Sequence, residues 1–375
     1  MCGYSEWRMS PLSHGRCQRC NGTLRADTFW RFVGINPEAW GDAKMWYRMS
    51  GLRNTRTVAI LALAGLLFSG CSGLSVEAAR RLSVTGRDAA VQAQQNTFGS
   101  DQEYLRARDS EALLHGFGGT TASDKYKAIL QMYGNIHQEL AKRAMVFEGL
   151  ADVYDAFGEL AAFDAAEQME AALGDLGGAI EEYAKQLKQS PPVSTGTTAV
   201  IANIGGLVAA EAQKAKIKEA SIQIRARVDT FLQLLGSALV REQMTGFRSL
   251  LISDVKAALN ILWDAGVYDP KPLLDEIGAA GGLAAQKDAA QLVKSNVELR
   301  RALGEVLDQR LAGQMELIAQ GYDASLAALR QLTAQHKKLE EGEPLDLTRL
   351  RAISAQLRSI VVLLAKAKTG GSTSQ

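Results

Sequence analysis

The sequence predicts an all-α protein, an elongated antiparallel helical bundle built from long, coiled-coil-like helices. Apolar residues recur at heptad spacing from position 126 onward, which is typical of a seam between packed helices. Clusters of proline and glycine divide the pattern into separate helical segments. No stretch alternates between apolar and polar residues for long enough to predict a sheet.

The first helical segment of the bundle begins near residue 124, and its seam consists of paired positions that are mostly apolar. These are Tyr126/Ile129, Tyr133/Ile136, Leu140/Arg143, Phe147/Leu150 and Tyr154/Phe157. After a shift of phase the pattern resumes at Met169, Leu173, Leu176, Ile180, Tyr183 and Leu187. The shift allows two interpretations, one long helix with a stutter or two helices that meet near 158–167.

Later segments are bounded by proline and glycine. Pro191-Pro192 ends the first part, and helices are predicted over 199–246, 247–265 and 287–340, with a last one after the turn at 341–344. A loose connection is predicted at 278–285. The predicted bundle covers 123–368 as two hairpin-like halves, 124–265 and 287–367, followed by a disordered tail, 369–375.

Residues 71–122 contain Gly86, Gly99 and the run Gly116-Phe117-Gly118-Gly119. This stretch is predicted to be a polar tether with at most two short helices, near 75–95 and 101–114.

Charge and cysteine content narrow the class of protein. The net charge is +1, and residues 71–375 hold 33 basic and 37 acidic residues, so no nucleic-acid partner is expected. The four cysteines are Cys2, Cys17, Cys20 and Cys71. A body without cysteine beyond position 71 must be stabilised by packing and not by disulfides.

Residues 49–71 have the organisation of an export signal. Arg53 and Arg56 precede an apolar run from Val58 to Phe68, which at about 1.5 Å per residue is too short to span the roughly 30 Å hydrocarbon core of a bilayer. Two small residues then precede Cys71. The alternative is a buried helix of a cytosolic domain with an incidental cysteine.

The sequence Phe68-Ser69-Gly70-Cys71 resembles the lipobox of bacterial lipoproteins, although Phe stands where Leu is usual. The resemblance covers residues 49–71 and implies a signal peptide, 49–70, that is cleaved between Gly70 and Cys71. It also implies a lipid on Cys71, which holds the chain to a membrane. Ser72 after the cysteine implies sorting to the outer membrane, facing the periplasm, in preference to the inner membrane.

A signal of this kind should begin close to its basic region, but 48 residues precede Met49. We therefore expect translation to start at Met49, so that residues 1–48 are not part of the native protein. The rival interpretation is a small zinc site formed by Cys2, His14, Cys17 and Cys20.

The body contains no motif of a known catalytic, cofactor or metal site. His115, His137 and His336 lie at no metal-ligand spacing, and each is interpreted as a surface histidine or one with satisfied hydrogen bonds. We therefore expect a non-enzymatic structural or interaction protein without a cofactor, which binds an envelope protein or a second copy of itself. A hydrolase site assembled from scattered helical residues is the remaining enzymatic alternative.

Residues 199–210 are apolar on nearly every side of a helix, which has two interpretations. The first is a fully buried helix end. The second is a membrane-active or partner-binding tip at the end of a helical hairpin, formed by Val200, Ile201, Ile204, Leu207 and Val208.

Overall fold

The computed structural model describes residues 74–120, 123–162, 165–189, 209–279 and 281–369. Within these ranges no strand occurs, and the predicted all-α bundle is confirmed. In chain order the helices are α1 (Val76–Phe117), α2 (Asp124–Ala162), α3 (Ala166–Gln186), α4 (Ala209–Leu235), α5 (Ala238–Asp264), α6 (Lys271–Ala279), α7 (Ala289–Ser295), α8 (Val297–Glu341) and α9 (Thr348–Thr369).

Helix α1 corrects the predicted tether at 71–122. It is a single helix of 42 residues, capped by the Ser75 hydroxyl, which accepts a hydrogen bond from the Ala78 amide at 3.2 Å. Its buried face is made largely of small side chains, so it lacks the large apolar residues from which a seam is recognised. Small residues instead let α2 approach closely, because a Cβ atom at Gly86 would lie 2.5 Å from the ring of Tyr154.

Helices α2 and α3 confirm the predicted seam from Tyr133 onward, whereas its first pair, Tyr126 and Ile129, is only partly buried. They also decide between its two interpretations. The seam residues from Tyr133 to Phe157 are buried, Arg143 among them. The resumed pattern from Met169 to Leu187 is buried as well. Helix α2 ends at Ala162 and α3 begins at Ala166, so the phase shift marks a junction between two helices.

The predicted division of 199–265 at residue 246 is wrong, because the chain breaks at Gly236-Ser237. The Gly236 amide donates to the Leu232 carbonyl at 2.8 Å at the end of α4. The Ser237 hydroxyl then accepts from the Val240 amide and caps α5. A glycine followed by a serine ends one helix and begins the next within two residues.

The remaining helices follow the prediction more closely. The stretch predicted as one helix over 287–340 is divided by Asn296, whose side chain caps α8 by accepting from the Leu299 amide at 3.0 Å. Gly342 ends α8 in the left-handed conformation with φ of 73°, a geometry that favours glycine. The predicted last helix is α9.

Helices of the two predicted halves pack against one another, and the halves are not separate units. Helix α1 packs antiparallel to α2, and α9 packs beside α1 and α8. Helix α4 packs chiefly on α8, so the first predicted half is completed by the second.

The core extends along the whole bundle. Its larger part joins α1 to α4, α8 and α9, and a smaller cluster around Tyr104, Ile136 and Val255 joins α1, α2 and α5. The ring centroid of Phe231 in α4 lies 5.0 Å from that of Phe147 and 5.7 Å from that of Tyr183, in edge-to-face contacts. Packing of this kind, without disulfides, stabilises the bundle.

Candidate functional site

The residues predicted from sequence to carry function lie outside the described part of the chain. Gly70 and Cys71 precede it, as do residues 1–48 with the alternative zinc ligands. The proposed tip residues Val200, Ile201, Ile204, Leu207 and Val208 fall between α3 and α4. These predictions therefore remain predictions.

The helices that flank the apolar segment are parallel, which the sequence did not predict. Arg227 of α4 donates to the Leu173 carbonyl of α3 at 2.9 Å, and Gln189 donates to Ser237 at 3.4 Å. Gln189 therefore lies beside the end of α4. Helix α4 begins at Ala209, and at 1.5 Å per residue its two ends are about 40 Å apart. Helices α3 and α4 themselves therefore do not pack as an antiparallel helical hairpin.

Two of the three histidines of the body have partners close to the surface. His115 contacts the Glu111 carboxylate at 3.1 Å and the Thr120 hydroxyl at 2.7 Å. His137 of α2 contacts the Asp101 carboxylate of α1 at 2.8 Å. Both agree with the interpretation of satisfied histidines.

His336 of α8 is entirely buried and lies at the centre of a polar cluster. Its Nε2 is 3.0 Å from the Tyr154 hydroxyl of α2, and its Nδ1 is 2.8 Å from the Ser221 hydroxyl of α4. The rings of Tyr154 and His336 are stacked with centroids 5.7 Å apart. Burial, together with the nearby charge of Arg225, lowers the pKa of His336 to about 3, so the ring is neutral at physiological pH.

An ion pair closes one side of this cluster. Arg225 of α4 donates to both carboxylate oxygens of Glu340 of α8, at 2.9 Å to each from different guanidinium nitrogens. The Ser221 hydroxyl is also within 3.3 Å of the same carboxylate. We call Tyr154, Ser221, Arg225, His336 and Glu340 the buried polar centre.

The buried polar centre contains a serine beside a histidine and a carboxylate, but its geometry does not suit catalysis. In a catalytic triad the carboxylate orients the histidine, whereas Glu340 contacts Ser221 and Arg225. Both Ser221 and His336 have no exposed surface, so a substrate could not reach the hydroxyl. A histidine with a pKa of about 3 is also a poor general base at neutral pH.

A second ion pair, which is more deeply buried than the first, lies within the bundle. Arg143 donates to Glu139 at 2.7 Å, and the Tyr183 hydroxyl of α3 donates to the same oxygen at 2.7 Å. Burial is the largest single effect on Arg143 and acts to lower its pKa, but the contacts with Glu139 and Tyr183 together outweigh burial, and the net pKa is raised. The guanidinium also lies 5.6 Å from the ring centroid of Tyr322. These contacts fix α2, α3 and α8 relative to one another.

Sequence reading missed both clusters because their members are far apart in the chain. Tyr154 and His336 are separated by 182 positions, and Ser221 and His336 by 115. One signal was present in the sequence: His336 lies on the apolar stripe of Leu329, Leu332 and Leu339. A polar residue in such a stripe indicates a buried partner.

A groove on the described part of the bundle has a volume of about 760 Å³. It lies between α2, the end of α3 and the start of α5, over Ile136 and Leu187. Amide side chains dominate its polar edge, namely Gln131, Asn135, Gln138, Gln186 and Gln243. Acids and bases are few here, so the groove offers hydrogen bonds and no reactive pair.

Exposed apolar side chains are concentrated at one end of the bundle, where α1 and α5 end and α8 begins. Of the fifteen large apolar side chains exposed in the described ranges, nine lie there. The contact of Asp264 with Arg300 at 3.1 Å and the ion pair of Glu276 with Arg310 at 2.7 Å hold this region together. We call these nine residues the distal surface: Leu113, Phe117, Ile261, Val267, Tyr268, Ile277, Leu283, Leu292 and Val297.

The described residues contain no group of histidine, cysteine and carboxylate side chains able to hold a metal ion. Nor does any helix in them have the length and apolar character needed to cross a membrane. No family model, curated protein or solved structure matches the chain.

Proposed function

We propose that this chain is a lipid-anchored protein of the bacterial envelope, without enzymatic activity, that binds a protein partner through the distal surface. Cys71 would carry the lipid after cleavage of the signal peptide, and Ser72 favours the outer membrane, facing the periplasm. The lipobox-type sequence at 49–71 supports the anchor.

The observation that carries the proposal of a partner is the concentration of exposed apolar side chains at one end of the bundle. Leu283 and Val297 are 71% and 70% exposed, and Phe117 is 56% exposed. Scattered apolar residues are ordinary on a surface, but a clustered set is typical of an interaction site. Full burial of one such side chain contributes about 1.5–3 kcal/mol, so a few of them suffice for a stable contact.

The chemistry of the interior supports a role without catalysis. The groups that resemble a nucleophile and a base, Ser221 and His336, are buried and hydrogen-bonded to the protein itself. Their contacts join α2, α4 and α8, which is a structural role.

The anchor is tested first, by expressing the full gene in a Gram-negative host and measuring the intact mass of the membrane-extracted protein. We expect a mass that corresponds to 71–375 plus acyl chains, and an unacylated Cys71→Ala variant. A wild-type chain that retains residues 1–70 would refute the anchor.

The partner is tested with a photo-crosslinking amino acid placed in the full lipidated chain at Leu292 or Val297. Matched controls replace Val84 and Val362, which are exposed on the sides of the bundle at 70% and 46%. We expect a discrete adduct from the distal positions only. Its mass distinguishes another envelope protein from a second copy of the chain, and equal labelling at all four positions would contradict the proposal.

The second candidate function is membrane perturbation by residues 199–210, favoured by the continuous apolar character of that segment. Liposome leakage should then be lost with Ile204→Asp and retained with Leu363→Asp, because Leu363 is an exposed apolar residue of α9. Absence of leakage by the wild-type chain would end this alternative.

A further inference from the structure

The starts of α1 and α4 meet at the end of α2. The Arg80 guanidinium of α1 donates to the Ala161 carbonyl of α2 at 3.2 Å. Gln213 of α4 donates to the same carbonyl at 3.2 Å, and to that of Leu160 at 3.4 Å. Arg80 and Gln213 each lie close to the first residue of their helix, so both helices begin at this end of the bundle.

The turn between α8 and α9 belongs to the same end. Asp88 of α1 contacts Ser354 and Arg358 of α9, and a Cβ atom at Gly99 would lie 3.2 Å from Leu364. Residue numbers therefore increase in the same direction along α1 and α9, and the start of α9 lies beside the start of α1. We define the proximal end as residues 74–80, 160–162, 210–213 and 342–347.

The chain is already fixed in this end at Leu74, three residues beyond the predicted lipid-bearing Cys71. Leu74 is only 9% exposed and packs in the larger core, and Ser75 caps α1. Three residue steps span at most about 11 Å at 3.6 Å per residue. A lipid on Cys71 would therefore be joined to the bundle by a connection far shorter than the predicted tether of 71–122.

We infer that the proximal end is the surface of the bundle that faces the lipid headgroups, and that the distal surface points away from them. This inference rests on the proposed anchor at Cys71. Helix α1 alone separates the two ends by about 60 Å at 1.5 Å per residue. The apolar sequence 199–208 joins α4 at Ala209, and so enters the described structure at this same end.

Single cysteines test this orientation, since the sequence beyond Cys71 contains no other cysteine. Glu343→Cys places a thiol at the proximal end, and Lys287→Cys places one in an exposed turn near the distal surface. Each full-length lipidated variant is labelled with a small fluorophore. It is then reconstituted in vesicles of phosphatidylethanolamine and phosphatidylglycerol that contain a headgroup nitroxide lipid.

We expect quenching by the nitroxide to be several-fold greater at position 343 than at position 287. Equal or reversed quenching, in protein whose intact mass includes the acyl chains, would overturn the orientation while leaving the anchor in place. A mass without acyl chains would overturn the anchor and this inference together, so the two failures are distinguished by one additional measurement.

Discussion

Acidification should destabilise this protein through one buried histidine. The pKa of His336 is lowered by burial, and further by Arg225, from 6.5 to about 3. In the unfolded chain the imidazole is protonated below pH 6.5, whereas in the folded chain it remains neutral down to about pH 3. Because the unfolded state binds the proton first, stability is fully present above pH 6.5 and is lost as the pH falls toward 3.

The magnitude follows from the difference in pKa. A pH of 5 lies 1.5 units below the unfolded pKa of 6.5 and above the folded pKa of about 3. At about 1.36 kcal/mol per unit, protonation of the unfolded chain lowers the free energy of unfolding by about 2 kcal/mol. Below pH 3 the loss reaches its limit of about 5 kcal/mol. For comparison, the whole stability of a folded protein is about 5–15 kcal/mol.

The assay compares denaturant unfolding of the wild type and of His336→Gln at pH 8 and pH 5. The variant loses hydrogen bonds to Tyr154 and Ser221, so at pH 8 it should be less stable by about 1–3 kcal/mol. The wild type should lose about 2 kcal/mol more of its free energy of unfolding than the variant does when the pH is lowered from 8 to 5. All other titrating groups are shared and cancel. A gap that does not change with pH would refute the reasoning.

Five further substitutions test packing, charge and capping by denaturant unfolding. Gly86→Ala should destabilise by about 1–3 kcal/mol, because its methyl group would overlap a buried tyrosine ring. Gly178→Ala meets no described atom within 4 Å and should stabilise by about 0.5–1 kcal/mol; the same sign for both would contradict the packing. Arg143→Met should cost about 3–5 kcal/mol by leaving a buried carboxylate unpaired. Adding Glu139→Leu should recover part of this loss. Additive losses would contradict a stabilising interaction between Arg143 and Glu139. Asn296→Ala should cost about 1 kcal/mol through loss of the α8 cap, and an unchanged midpoint would show that the cap is not needed.

The fold was predictable where large apolar residues mark a helix face. The seam of α2 from Tyr133 to Phe157 could be derived from spacing alone, since a side chain at every third or fourth position falls on one face. Helix α1 could not, because its contacts are made by small residues such as Gly86 and Ala89. Small residues stabilise a helix pair by letting the second helix approach closely. The spacing of residues in the sequence does not contain this information.

Capping residues mark two helix boundaries that the apolar pattern of the sequence does not. Ser237 follows Gly236, and apolar residues lie on both sides of this pair, so apolar content alone does not mark a helix boundary there. The structure shows that the cap, and not the apolar period, decides where α4 ends. Similarly, Asn296 divides a stretch that periodicity alone joins.

The buried polar centre, finally, suggests how the helices find one alignment. Apolar layers of similar residues allow neighbouring helices to slip by a turn at modest cost. In contrast, a slip here would leave the Tyr154 hydroxyl and both nitrogens of His336 without partners, at about 1–3 kcal/mol for each buried group. Because these bonds connect α2, α4 and α8 at one level, they penalise every wrong alignment of the three helices together.

This argument predicts the behaviour of an apolar variant that combines Tyr154→Phe, Ser221→Ala and His336→Leu. Its helix content should be retained, because burial of apolar groups still stabilises the bundle. Methyl groups of core residues around Phe157 should, however, give more than one set of resonances in nuclear magnetic resonance spectra, because more than one alignment becomes accessible. A single sharp set, with amide exchange as slow as in the wild type, would show that packing alone sets the alignment and that the polar centre does not specify it.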